Sequence, residues 1–227
     1  MFKPTDPSNE LHPRCDSPTI SSQYNILRVL TDLIYPPYCA ICKHRILSKE
    51  QLICLSCRSL LLPIYAPYCT RCGASLSSVQ TECIDCTGKT FHFSGSRAGF
   101  LFNDPLQNLI HSLKYCHRPG IGIYLGEEIG KIVVYEPWFS HIDIVIPVPL
   151  HKGRLRERGY NQSEFIAQGI SRFTGLPILT DGILRTIHTR SQTTLTPEKR
   201  LVNVANVFFV PHKQELKGFT IVLVDDV

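Results

Sequence analysis

The chain has 227 residues, enough for one ordinary domain and a small one, and 43% of them are apolar, so a hydrophobic core is within reach. The formal charge of +5 falls below the strongly basic signature of a nucleic-acid binder; it is spread evenly, with 9 Lys/Arg against 7 Asp/Glu in residues 1–94 and 15 against 12 in residues 95–227. No stretch reaches the roughly 18 consecutive apolar residues of a membrane span, and the polar N-terminus has no apolar signal region, so the expectation is a soluble, cytoplasmic protein.

Residues 1–21, with four prolines among the first 19, read as a disordered lead-in. Over residues 22–34, Ile26, Leu27, Leu30, Leu33 and Ile34 fall at helical spacing and predict a short amphipathic helix. The composition then turns to Cys, Pro, Ser and Leu as far as Lys89, with little material for a core, and a domain boundary is expected near residues 88–95.

Eight of the chain's ten cysteines fall in that stretch, as four CxxC pairs: Cys39/Cys42, Cys54/Cys57, Cys69/Cys72 and Cys83/Cys86. A CxxC turn sets two thiolates on one side of a tight knuckle, and two facing knuckles make the tetrahedral sulfur cage that suits Zn2+. An internal repeat accompanies them: Ile34-Tyr35-Pro36-Pro37-Tyr38-Cys39 and Ile64-Tyr65-Ala66-Pro67-Tyr68-Cys69 agree at five of six positions, thirty residues apart. Duplication favours sequential pairing, Cys39, Cys42, Cys54 and Cys57 on one ion and Cys69, Cys72, Cys83 and Cys86 on the other; an interleaved cross-brace is the alternative that spacing leaves open. Four thiolates leave no open ligand position, so both zincs are expected to be structural and to stand in for a core that the segment is too small to build. Cys15 and Cys116 stand alone, and His44 beside the first knuckle is either a substitute ligand or a solvated loop histidine.

Beyond residue 95 helices alternate with short apolar runs. Asp104 is expected to cap a helix that opens on Pro105 and turns Leu106, Leu109, Ile110 and Leu113 to one face. Residues 121–134 form the next expected helix, although three glycines weigh against it. Ser163 opens another, with Phe165, Ile166 and Ile170 inward and Gly175 and Pro177 at its end. The runs at 142–148 and 219–224 are short, β-branched and bounded by breakers, as buried strands are. Such alternation predicts an α/β fold with a mostly parallel sheet.

Three stretches of this half carry chemistry. Pro147, Val148 and Pro149 lead from a strand into a cationic loop with His151, Lys152, Arg154, Arg156 and Arg158, beyond a carboxyl end where open α/β sheets bind ligands. Guanidinium forks match phosphate oxygens, though such a loop can equally be a solvated one. Arg158-Gly159-Tyr160-Asn161-Gln162 is a dense polar turn into a helix, whose free N–H groups favour anions; plain capping is the alternative. Asp225 and Asp226 directly follow the last apolar run, and paired carboxylates there can accept hydrogen bonds from a diol or help position Mg2+, or simply be solvated.

These stretches, together with Leu113-Lys114-Tyr115, IPVPLHKGRLRERGYNQSE, Arg185 with Gln192 and Leu195, Arg200 with Asn203, and VLVDDV, resemble the ComF family of competence-related proteins across most of residues 97–227. A zinc ribbon ahead of such a domain is also typical of that family. The resemblance implies a type I phosphoribosyltransferase-like α/β domain over residues 95–227 behind a helix and double zinc ribbon over residues 22–90. It further implies that Asp225 and Asp226 bond the ribose hydroxyls of PRPP and that the PVP turn (Pro147, Val148, Pro149) faces the pyrophosphate. Arg156, Arg158, Tyr160, Asn161 and Gln162 would sit over the phosphates, with Lys114 a further contact. If the domain is catalytic, the implied chemistry is displacement of pyrophosphate from C1 of PRPP, with Mg2+ on the pyrophosphate and an unnamed acceptor. In that motif a Thr/Gly-rich phosphate loop follows DDV, whereas this sequence stops at Val227; weak PRPP binding and impaired folding are therefore expected of it. The second expectation, from the same resemblance, is a non-catalytic adaptor in DNA uptake that meets single-stranded DNA or competence proteins.

Overall fold

The computed structural model describes residues 36–47, 51–187 and 207–226. From residue 37 onward the chain forms one compact unit, Pro37–Val227. The helix expected over 22–34 lies outside the described residues, as do Gln192, Leu195, Arg200 and Asn203.

The two ribbons fold by one device used twice. In the first, the Cys39 amide donates to His44 O at 2.9 Å and the Lys43 amide to Cys39 O at 3.1 Å; in the second, the Cys69 amide donates to Ala74 O and the Gly73 amide to Cys69 O, both at 2.8 Å. Tyr38 bridges Arg45 and Tyr68 bridges Ser75, each antiparallel, and helix α1 (Leu55–Arg58) carries Cys57 inward. The left-handed residue of each turn is Lys43 at φ 62° and Gly73 at φ 77°. At Gly73 a side chain is doubly excluded, since a Cβ would lie 2.4 Å from the Ala98 amide nitrogen.

Helix α2 (Asp104–Tyr115) buries Leu106, Leu109, Ile110 and Leu113, the face that the periodicity predicts. Its cap is Asn103, not Asp104: Asn103 is extended and its side-chain oxygen accepts from the Leu106 amide at 3.2 Å, while Asp104 is already helical. Helix α3 (Pro119–Val133) starts at its proline, two residues before the expected start, and its glycines are there for packing. A Cβ on Gly126 would stand 2.0 Å from Ile166 O, and one on Gly169 would stand 2.1 Å from Ile123 O. The partner across that contact is α5 (Gln162–Thr174), and the missing side chains let two backbones approach.

The segment expected as a cationic loop is instead a short helix, α4 (Lys152–Arg158), capped by His151, whose Nδ1 accepts from the Gly153 amide at 3.1 Å. Gly159 closes it at φ 80°. Helix α5 begins one residue before Ser163, because the Asn161 side chain accepts from the Ser163 amide at 3.3 Å and so takes the cap.

Strands β1 (Ile144–Pro147) and β4 (Ile221–Val224) pair in parallel, with Ile144 opposite Ile221 and Pro147 opposite Val224. A further parallel bridge joins Val145 to Ile178, so three parallel segments lie side by side. Asp143 pins the register, exchanging bonds with Thr220 through both its amide and its carboxylate. β2 (Leu184–Arg185) and β3 (Phe208–Phe209) make a separate antiparallel pair. On β4, Val224 is buried and Leu223 faces outward at 57% exposure.

One apolar core runs through the first ribbon and the α/β elements together. Cys39, Ala40, Ile46, Ile53, Cys57 and Leu61 belong to the same buried cluster as Leu109, Leu113, Ile121, Val145 and Ile166. The second ribbon is joined differently. Arg97 and Glu136, with side chains only 5% and 9% exposed, pair at 2.7 Å; Tyr68 donates its hydroxyl to the same carboxylate, and the guanidinium stacks 4.0 Å from the Tyr68 ring centroid. Removing one partner strands a buried charge. Arg97→Met is therefore expected to lower unfolding stability by about 3–5 kcal/mol, and Arg97→Met with Glu136→Leu to recover much of it, as read by urea denaturation. Equal loss in the single and double variants would show that the pair is not coupled.

Candidate functional site

The described residues form two tetracysteine groups that could each hold a metal ion, and one strand-end cluster. Within each of the quartets Cys39, Cys42, Cys54, Cys57 and Cys69, Cys72, Cys83, Cys86, the four sulfurs lie within 4.8 Å of one another. Pairing is therefore sequential, and the interleaved alternative is set aside; exposed His44 belongs to neither group. In both quartets burial of the first cysteine opposes ionisation, yet backbone N–H groups, Cys54 and Cys42 around Cys39, Cys72 and Cys83 around Cys69, hold its pKa down to about 6. The last cysteine is pushed up, Cys86 to about 12, by burial and then by its three sulfur neighbours, and Cys57 upward for the same reasons. Four thiolates cannot share so small a space without a cation between them, and the donor set fits structural Zn2+ at both places.

The strand-end cluster gathers around Asp225 and Asp226. The amide of Val148, in the PVP turn, donates to Val224 O at 2.8 Å, which sets that turn beside the acid pair. Asn161 Nδ2 donates to Val148 O at 3.0 Å, so one asparagine ties the turn to the start of α5. In the first turn of α5 the buried Ser163 hydroxyl donates to Asp225 Oδ1 at 3.0 Å, and the Asp226 amide donates to the same oxygen at 2.9 Å. Lys114, in the last turn of α2, pairs with Asp226 Oδ2 at 3.0 Å. Two adjacent carboxylates repel. Burial of its carboxyl group and then the Asp226 charge raise the Asp225 pKa, while Ser163 and Lys114 work against that rise.

Arg158 lies close by. Its Nη1 donates to Gln162 Oε1 at 2.7 Å and its guanidinium sits 5.4 Å from the Tyr115 ring centroid, while its Nε is buried with no hydrogen-bond partner. A buried, orphaned donor on a cation is a place for an acceptor to arrive. On β2, burial lowers the Arg185 pKa, and the Asp225 carboxylate works against that shift.

Of the residues singled out in the sequence, Lys114, Asp226 and Asp225 are joined in one chain of contacts, Asn161 is joined to Val148, and Arg158 to Gln162. Pro147 ends β1 opposite Val224, and Pro149 follows in the turn. Two residues do other work. Exposed Arg156 turns back on its own helix, its Nε donating to Lys152 O at 3.4 Å, and Tyr160 donates its hydroxyl to Leu113 O and packs edge-on to Phe165. Ser163 was not singled out as a contact, although it stands inside the RGYNQSE motif; its partner is 62 residues away, and no local pattern reveals that.

A duplicated tetracysteine ribbon built into an α/β unit with an acid pair at a parallel strand end defines the class of protein. A double zinc ribbon domain model matches residues 30–87. The chain is 27% identical over 194 residues to Competence protein F of Haemophilus influenzae, covering 83% of each chain. It is 28% identical over 198 residues to DNA utilization protein YhgH of Escherichia coli O157:H7, covering 86% of each. Competence protein ComFC of Bacillus subtilis is 24% identical over 187 residues, 80% of this chain and 74% of that one. These likenesses support a resemblance to the ComF family.

Proposed function

We propose that this protein binds a phosphorylated ribose, PRPP or a close relative, at the acid pair beyond β4, within a type I phosphoribosyltransferase-like domain. One observation carries the proposal: Asp225 and Asp226 are held side by side at the carboxyl end of a parallel strand by Ser163 and Lys114, next to the N-terminus of α5. Asp225 and Asp226 accept the vicinal hydroxyls of the ribose. The α5 N-terminus, Arg158 and the PVP turn supply positive charge and N–H donors for phosphate oxygens. Lys114 pairs with Asp226, and its charge works against the rise in the Asp225 pKa.

Bound Mg2+ would neutralise charge on a pyrophosphate leaving group. What the chain itself contributes is position and electrostatics: it fixes the diol, cradles the phosphates and lines them up with C1. The relatives' names, competence and DNA utilization, support a role for the bound sugar phosphate in the uptake or use of DNA. Domain limits of 22–90 for the helix and double ribbon and 95–227 for the ligand-binding domain, and a cytoplasmic location, belong to the same proposal.

The test is Asp225→Asn with Asp226→Asn. Losing two ionised acceptors is expected to weaken Mg-PRPP binding at least about tenfold, at about 1.5–3 kcal/mol for each hydrogen bond to a charged group. Zinc content and thermal melting monitor the fold in the same samples. Unchanged affinity in a folded double variant would place the ligand elsewhere.

A further inference from the structure

The two ribbons repeat each other at their cysteines but not beside them. In the second ribbon the two CxxC turns are tied together on the solvent side. The Thr70 amide and hydroxyl both donate to Thr81 O, at 2.9 and 3.0 Å, and Arg71 pairs with Glu82 at 3.0 Å. The corresponding positions of the first ribbon are Ala40, Ile41, Leu52 and Ile53. There the backbone bond is kept, the Ala40 amide donating to Leu52 O at 2.9 Å, but all four side chains are apolar and lie in the buried core cluster or pack against it.

Each half of the Arg71–Glu82 tie adjoins a cysteine. Cys72 follows Arg71, Cys83 follows Glu82, and the two sulfurs lie 3.7 Å apart. Cys72 is exposed and Cys83 half-buried, whereas Cys69 and Cys86 are buried. Disulfide closure needs two sulfurs that are near, open to a small oxidant and held in place by contacts other than the metal. In the first ribbon Cys42 and Cys54 are equally close, at 3.8 Å. Closing that pair would break a cage whose Cys39 and Cys57 are part of the core, so the fold of the whole unit opposes it.

We propose that Cys72 and Cys83 are an oxidisable pair, through which a peroxide opens the second zinc centre reversibly and leaves the first intact. The exposed Cys72 thiolate attacks one peroxide oxygen; the O–O bond breaks, hydroxide leaves and Cys72 becomes a sulfenic acid. The Cys83 thiolate then attacks the Cys72 sulfur, expels a second hydroxide and forms the S–S bond. Each sulfur has given up one electron, and the peroxide has taken both. Cys69 and Cys86 are two ligands where structural zinc needs four, so the cage releases its ion while the α/β part stays folded. A dithiol reductant reopens the disulfide by exchange, and added Zn2+ rebuilds the cage. The inference requires zinc in both quartets and is independent of the sugar-phosphate site.

The experiment is titration of the zinc-loaded full chain with hydrogen peroxide. A zinc-responsive dye reads the released metal, and peptide mass mapping after alkylation reads the disulfides. One of the two zinc ions is expected to leave. With it, the peptides that carry Cys72 and Cys83 should become linked, with the loss of two hydrogens. The melting transition by circular dichroism should survive, and dithiothreitol with Zn2+ should restore both ions. Cys15→Ser with Cys116→Ser, which removes the two cysteines outside the quartets, should release the same single ion. Four results overturn the proposal: both ions leaving together, none leaving at a peroxide dose that oxidises exposed Cys116, a disulfide at any other pair, or a loss that the reductant does not reverse. Fewer than two zincs per chain before oxidation overturns it at its premise. None of these readings involves PRPP, so the sugar-phosphate proposal stands or falls separately.

Discussion

Loss of the first zinc is expected to unfold the whole unit from Pro37 onward, whereas loss of the second leaves the α/β part folded. The two tetracysteine sites are repeats in sequence, yet their surroundings differ. Cys39 and Cys57 are members of the buried cluster that holds Leu109, Leu113, Ile121 and Val145, and a Cβ on Gly120, at the start of α3, would touch Leu52 at 3.5 Å. Cys69 and Cys86 are buried too, but among the described residues they lie outside that cluster; their ribbon is held chiefly by the Arg97–Glu136–Tyr68 group and by the Ile64–Gly99 backbone bond. Structural zinc contributes on the order of 10–16 kcal/mol in small ribbons, as much as an entire domain's stability of about 5–15 kcal/mol. Cys39→Ser should therefore abolish the cooperative melting transition as well as one equivalent of bound zinc. Cys83→Ser should remove one zinc and keep a transition. The measurement is thermal denaturation by circular dichroism beside metal analysis, and indistinguishable melting of the two variants would contradict the asymmetry.

Gly126→Ala is the second large effect. In an exposed helix this exchange stabilises by up to about 1 kcal/mol, because alanine is the better helix former. Here the new methyl group would meet Ile166 O at 2.0 Å and Gly169 Cα at 2.9 Å, backbone atoms that no rotamer change can move aside. Helices α3 and α5 must separate, and overpacking of this kind costs about 1–3 kcal/mol, occasionally more. A fall in Tm of roughly 2–12 °C is expected for a unit of this size. Gly169→Ala should behave alike, and the double variant should fall short of the sum, since both open the same contact. Because α5 carries Asn161 and Ser163 at its start, its displacement should also weaken ligand binding. A neutral or raised Tm for Gly126→Ala would mean that the helices are not in close contact.

Much of this molecule was legible from its residues because the signals are local. CxxC spacing and a thirty-residue repeat located both tetracysteine groups, and β-branched runs before PVP and DDV located the two parallel strands. What escaped is non-local or ambiguous. KGRLRER has a single apolar residue, Leu155, so nothing in its periodicity marks α4 as a helix. Asn103 and Asp104 are both good caps before a proline, and only geometry decides between them. Glycines at 122, 126 and 130 lower intrinsic helicity, and the reason for them stands on another helix. Arg97 and Glu136 are 39 residues apart, and Ser163 and Asp225 are 62 apart. The cationic character around 151–158 was visible, but not which guanidinium turns back on its own helix, as Arg156 does.

The acid-pair site is the centre of this account, and calorimetric titration with PRPP, with and without Mg2+, tests it most directly. Saturable, Mg2+-dependent binding near one ligand per chain, lost on Asp225→Asn with Asp226→Asn, is the predicted result. No binding, with both zincs in place and the fold intact, would contradict it.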